Sequence, residues 1–246
     1  SLELRAEILE ILGMGIRNII FDLGGVLLDI DLIHCMRQMQ ALGIDLEAFE
    51  QKGMQTPTGT KAAVLGEGMV AHGAMHLYQT GDITTEAFLE GVRRHCKEGT
   101  TREQVLEAWN SCCIDIPAYR LNKLRELKQQ GYTICMLSNT NAAHWQFILE
   151  KCFGGQEVVD ELFDHVFLSQ EMHMAKPNDE IYLKVLETIH AQADECLFLD
   201  DSSTNLQAAK ALGFHTYHAE TSNTQKGMVV APPSVDWTTT IDNLLY

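Results

Sequence analysis

Carboxylates, a hydroxyl and a lysine recur at the polar ends of short apolar runs, a set of groups able to hold and attack an anion. Asp22 closes the run Ile19-Ile20-Phe21 and opens Asp22-Leu23-Gly24-Gly25-Val26-Leu27-Leu28-Asp29. A carboxylate on a glycine turn straight after a buried strand stands where a nucleophile would, because ligands of such sheets gather outside the carboxyl ends of the strands. Gly24 and Gly25 let backbone N–H groups come close to an anion. Taken alone, a turn or helix-capping aspartate accounts for the same residues equally well.

Three further strand ends bear on the choice. Ser138-Asn139-Thr140 follows the apolar run Tyr132 to Leu137 and presents a hydroxyl and an amide where a helix begins, as donors to phosphate or as an ordinary cap. In Ser169-Gln170-Glu171-Met172-His173-Met174-Ala175-Lys176-Pro177, Pro177 is expected to open a helix, which puts Lys176 at the end where the helix dipole disfavours a cation. In Leu197-Phe198-Leu199-Asp200-Asp201-Ser202-Ser203-Thr204-Asn205, two adjacent carboxylates follow an apolar strand. Like charges there repel unless a cation holds them, and helix capping by Asp201 explains only one of the pair. Hard oxygen donors with no His or Cys beside them suit Mg²⁺ better than zinc.

The elements that must position these groups can be read around them. From residue 22 to residue 138 the chain is far longer than the roughly 30 residues of a simple βαβ unit. The surplus reads as helices: Leu32 to Leu42, Met69 to Tyr78, a segment from Thr84 or Thr85 to Cys96, and one opened by a capping box at Thr100 and Glu103. Residues 32–113 are therefore expected to form an all-helical insertion. Beyond it, helix 117–131 leads into regular alternation: helix 142–152, strand Val166 to Leu168, helix 178–190, strand Cys196 to Leu199, helix 203–212 and a last strand His215 to His218. This predicts an α/β fold with a parallel, Rossmann-like sheet and right-handed crossovers. The tail 219–246 is expected to be mostly irregular.

The four segments Asp22-Leu23-Gly24-Gly25-Val26, Leu137-Ser138-Asn139, Lys176-Pro177 and Asp200-Asp201-x-x-x-Asn205 resemble, in order and spacing, the four motifs of the haloacid dehalogenase (HAD) superfamily. Phe21 to Asp31, Leu168 to Met174 and Phe198 to Asn205 are most similar to α-D-glucose-1-phosphate phosphatase-like members. The resemblance implies a discontinuous core, 16–31 and 114–246, with residues 32–113 as a helical cap. It further implies that Asp22 attacks phosphorus to form an aspartyl-phosphate that water hydrolyses. Mg²⁺ would be held by Asp22, the carbonyl of Gly24 and Asp201, with Asp200 beside them. Phosphoryl oxygens would be held by Ser138, Asn139, Lys176 and the backbone of Leu23 and Gly24, and Asn205 would steady the acidic loop.

One position departs from that pattern. Most phosphatases of the superfamily carry an aspartate at Gly24 that protonates the leaving oxygen, help typically worth about 10²- to 10⁴-fold. Asp29, Asp31 or His34 could supply a proton instead, although solvated or capping roles compete for all three. The expected activity is therefore Mg²⁺-dependent hydrolysis of small phosphorylated metabolites, sugar 1-phosphates among them. The alternatives are a catalytically weak relative that binds phosphate esters or a protein partner, and a haloacid dehalogenase. The last needs no metal and leaves the Asp200-Asp201 pair unexplained.

Composition sets the outer limits. The chain has 246 residues, 46% of them hydrophobic, enough for one large domain or one domain with an insertion. Its 18 basic and 34 acidic residues give −16, a charge that repels nucleic acid and anionic membrane surfaces and calls for a local cation wherever a phosphate binds. Seven cysteines without C-x-x-C spacing and an acidic opening segment point to a cytoplasmic protein. Adjacent Cys112 and Cys113 are a possible redox pair, though buried free thiols are the default. Residues 1–15 read as an N-terminal extension, either an added helix or a leader ahead of a native start at Met14-Gly15. The sequence leaves the oligomeric state open.

Overall fold

The computed structural model describes residues 15–44, 72–219 and 236–245. The extension before residue 15 lies outside them. Strand β1 (Asn18–Phe21) is buried along its whole length. Ile19 and Phe21 join one apolar cluster and Ile20 a second, so side chains alternate between two covered faces and no polar residue is needed among them. After the glycine turn come the short strand β2 (Asp29–Ile30) and helix α1 (Leu32–Ala41), capped by Asp31, whose Oδ1 accepts the His34 N–H at 2.8 Å.

Helices α2 (His72–Gln79), α3 (Thr85–Arg93) and α4 (Arg102–Asn110) follow. Residues 45–71, including the expected start of α2 at Met69, lie outside the described residues. The capping box of α4 sits one position later than predicted. Thr101 accepts from the Gln104 N–H, and Gln104 Oε1 accepts from the Thr101 N–H at 2.9 Å. Both registers satisfy the pattern, and α4 turns Val105 and Ala108 inward. Strand β3 (Cys113–Asp115) pairs antiparallel with β2, Ile30 opposite Cys113, so the last residue of the expected helical stretch belongs to a small sheet.

The chain then runs through α5 (Ala118–Gln129), β4 (Thr133–Ser138), α6 (Ala142–Phe147) with a wider helical turn to Phe153, α7 (Gln156–Leu162), β5 (His165–Leu168) and α8 (Ser169–Met172). Helix α9 (Asp179–Ile189), β6 (Cys196–Asp200), α10 (Ser203–Ala211) and β7 (His215–His218) complete the alternation. The five-stranded sheet has the order β5-β4-β1-β6-β7 with every pair parallel, the Rossmann-like α/β arrangement predicted from the sequence. Phe21 lies level with Met136 and Leu199, so Asp22, Ser138 and Asp200 gather at one edge, beside the central strand. No helix among the described residues is long and apolar enough to cross a membrane.

Part of the tail is ordered where irregular chain was expected. Residues 236–245 form a turn at Trp237–Thr239 and helix α11 (Asp242–Leu245). Trp237 is buried against Phe21, ring centroids 4.9 Å apart, and its indole N–H donates to the Val26 carbonyl at 2.9 Å. Arg120 of α5, also buried, donates to the Leu27 carbonyl at 3.0 Å, to Asp29 at 2.7 Å and to Asp236 at 3.0 Å. Together they fasten the turn after Asp22 from behind.

Candidate active site

Asp22 leaves β1 with its backbone N–H donated to the Leu199 carbonyl at 2.8 Å, which fixes it over the middle of the sheet. Both hydrogen bonds to its carboxylate fall on Oδ1, one from the Leu23 N–H at 2.7 Å and one from Lys176 Nζ at 2.9 Å. Lys176 is buried, and Nζ also donates to Asp200 Oδ2 at 2.7 Å and to the Leu137 carbonyl at 2.9 Å. Its three N–H bonds thus meet three acceptors. Burial alone would lower the pKa of this amine, but Asp22 and Asp200 outweigh it and keep the cation.

The helix expected over 178–190 spans Asp179–Ile189, with Asn178 at its cap directly after Pro177. The Asn139 amide accepts from the Lys176 N–H at 2.9 Å and donates to the Lys176 carbonyl at 2.8 Å, holding residue 176 against the end of β4. The Asn139 side chain, expected among the phosphate ligands, is thus committed to the lysine backbone. Ser138 beside it is buried and faces the same cavity as Asp22.

Asp200 and Asp201 end up in different surroundings. Asp200 is fully buried and accepts from Lys176, from the Ser202 N–H at 2.7 Å and from Asn205 Nδ2, which lies 3.1 Å from both of its oxygens. Asp201 lies at the cavity, and burial followed by repulsion from Asp200 pushes its pKa up to about 6. For Asp22, burial comes first, Lys176 works against it, and Asp200 and Asp201 add to it, for a pKa near 8.

One lysine faces three carboxylates, each offering an oxygen within 4.8 Å of the others. That excess of negative charge, built from hard donors, fits a divalent cation such as Mg²⁺. Gly25 shapes the same place. Its φ is +79°, and a Cβ there would stand 2.6 Å from Asp201 Oδ2, so a side chain would displace the carboxylate. Gly24 differs: a Cβ would meet only Ile30, at 3.8 Å, and nothing in the space forbids a side chain.

Above the carboxylates opens a cavity of about 320 Å³. Its wall includes residues with no motif to announce them: Met75 from α2, Trp109 from α4, and His144 and Ile148 after β4. Trp109 and His144 stack at 4.8 Å, His144 Nε2 lies 3.1 Å from the Trp109 carbonyl, and Asn141 lies 3.2 Å from Nδ1. Burial, partly offset by that carbonyl, pushes the imidazole pKa down to about 4. The proton candidates read from the sequence sit elsewhere: Asp29 pairs with Arg120, Asp31 caps α1, and His34 lies beside Gln38.

A parallel sheet whose central strand delivers an aspartate to a carboxylate-lined cavity is the architecture of a HAD-like hydrolase core. The profile of the haloacid dehalogenase-like hydrolases matches residues 16–213, and the chain belongs to that family. It is 27% identical over 207 residues to the D-ribitol-5-phosphate phosphatase of Bacteroides thetaiotaomicron, covering 83% of this chain and 92% of that protein. It is 35% identical over 106 residues to a sesquiterpene phosphatase of Aspergillus oryzae, covering 43% of this chain and 52% of the other. Among solved structures, a HAD family enzyme of B. thetaiotaomicron in complex with magnesium and inorganic phosphate superposes with a TM-score of 0.70 at 32% identity, over 83% of this chain and 94% of that one.

Proposed function

We propose that the protein is a Mg²⁺-dependent phosphatase of small phosphorylated metabolites, sugar phosphates included, working through an aspartyl-phosphate on Asp22. The observation that carries this reading is the single-sided hold on Asp22: Leu23 and Lys176 both bind Oδ1, which leaves Oδ2 for attack on phosphorus. The relatives support the reaction class, since two are phosphatases and a third binds magnesium with inorganic phosphate.

Asp22, the Gly24 carbonyl and Asp201 would hold the metal, with Asp200 beside them, and the ion would neutralise charge on the transferring phosphoryl group. The chain's own groups do the rest. Lys176 favours the ionised form of Asp22 and leaves Oδ2 turned toward phosphorus, and Ser138 with the Gly24 N–H takes the equatorial oxygens; the Leu23 N–H, expected on phosphate, is held by Asp22 instead. Asp22 forms the P–O bond as the ester P–O bond breaks, and water then releases phosphate and restores the carboxylate. Asn205 and Asn139 steady Asp200 and Lys176. Residues 32–113 serve as the cap that meets the leaving group.

The test is a screen of sugar, polyol and nucleotide monophosphates with Mg²⁺, using Asp22→Asn as control. The variant is expected to lose at least about 10³-fold in kcat/KM, and an Asp22→Asn protein as active as wild type would refute the mechanism. Gly24 favours a second reading, a weak catalyst that binds phosphate esters or a protein partner. A blank screen alongside measurable phosphate binding would support it.

A further inference from the structure

Resting on the phosphatase reading, we propose that the natural substrate is a monoester of an uncharged, largely apolar and weakly basic hydroxyl, of the phenol or enol kind. Two independent features of the cavity lead there. The first is the wall that a leaving group must meet. Leu28, Ile30, Leu32, Met75, Trp109 and Ile148 form its apolar part, and no lysine or arginine is among the described residues that line it. A second phosphate or a carboxylate on the leaving group would find no counter-charge there. A polyol would leave most of its hydroxyls against hydrocarbon, where each unpaired polar group opposes binding. The neutral amides that also line it are partly committed within the protein, Asn141 to His144 and Trp109 and Asn139 to the Lys176 backbone, so few polar contacts are left to orient a ligand.

The second feature is the supply of protons. Gly24 offers none, although the space before Ile30 would accept a side chain. His144 is the only imidazole among the described lining residues, and both of its nitrogens are engaged, with the Trp109 carbonyl and with Asn141. The thiols of Cys35 and Cys112 approach that same carbonyl at 3.7 and 3.5 Å, and Cys112 also lies 3.6 Å from His144 Nε2. The remaining acids belong to the carboxylate cluster. With no donor among the described residues, the ester P–O bond breaks with the electron pair remaining on a leaving oxygen that carries its own negative charge. A phenolate or enolate tolerates this far better than an alkoxide.

The experiment measures kcat/KM for the Mg²⁺-loaded protein on two series. One is a set of substituted phenyl phosphates of equal size and falling phenol pKa; the other compares 2-naphthyl phosphate with ribitol 5-phosphate. The rate is expected to rise several-fold for each unit of phenol pKa lost, and the naphthyl ester to lead by about 10²-fold, the scale of missing acid catalysis. Met75→Gln and Leu32→Gln, both at partly exposed helical positions, are expected to narrow the naphthyl-to-ribitol ratio by about tenfold, through KM. A flat dependence on phenol pKa, or a preference for ribitol 5-phosphate, overturns the proposal and leaves the phosphatase reading standing. Activity that survives in Asp22→Asn overturns the phosphatase reading itself.

Discussion

Two buried cations each grip a pair of carboxylates, and they do opposite things with the arrangement. Arg120 joins Asp29 and Asp236 behind the glycine turn and adds a bond to the Leu27 carbonyl. Its fork is matched on every side, and both carboxylates keep some access to water that dissipates the remaining charge. Lys176 joins Asp22 and Asp200 in front of the turn, where Asp201 adds a third carboxylate and only a cavity lies beyond. The first cluster is closed and holds a loop still. The second is left short of positive charge on the one side a ligand can reach, and repulsion there is the state a metal relieves.

Replacing each cation by methionine separates the two roles and gives the largest expected effects. Lys176→Met should reduce kcat/KM by about 10²- to 10³-fold, on the scale of losing one preorganised donor to a developing charge. Arg120→Met should act on the fold, lowering stability by about 2–4 kcal/mol by stranding Asp236 and the Leu27 carbonyl, as read by denaturant unfolding. Equal losses of activity per folded molecule in the two variants would erase the distinction.

Smaller in size, but opposite in sign, is the effect of removing a carboxylate from the front cluster. Without Mg²⁺, Asp201→Asn should stabilise the protein by about 1–2 kcal/mol at neutral pH, because the wild-type carboxylate is ionised there against its raised pKa. Millimolar Mg²⁺ should raise the Tm of the wild type and do little for the variant. A variant less stable than wild type without metal would show that the cluster is not strained by its own charge.

The mildest test concerns the cavity wall. The His144 pKa in the folded state, about 4, lies below its ordinary value, so between pH 6.5 and 4 the unfolded chain takes up a proton that the folded one refuses. This part of the stability is complete above pH 6.5 and is lost as the pH falls toward 4, on the order of 2 kcal/mol. Acid titration of the wild type against His144→Gln should show a shallower decline in the variant across that window.

The strand ends were legible because β1, β4 and β6 are unbroken apolar runs that stop abruptly at Asp22, Ser138 and Asp200. Their order along the chain was enough to bring them to one edge of a parallel sheet. The cavity wall was not legible, since Met75, Trp109 and His144 come from separate helices whose spacing in sequence says nothing of how they meet. Local ambiguity accounts for the smaller misses. Thr100 and Thr101 both open an acceptable capping box, and β2 and β3 are too short to show any period.

The indole of Trp237 reaches the carbonyl of Val26 across 211 residues of sequence. A chain emerging from the ribosome could carry Asp22, Ser138, Lys176 and Asp201 into the open while the turn beside Asp22 still lacked its rear support. Closing so long a separation is a late and entropically costly step. The site would then acquire its working shape only once the segment around Trp237 has docked behind the turn, long after its reactive groups have been made.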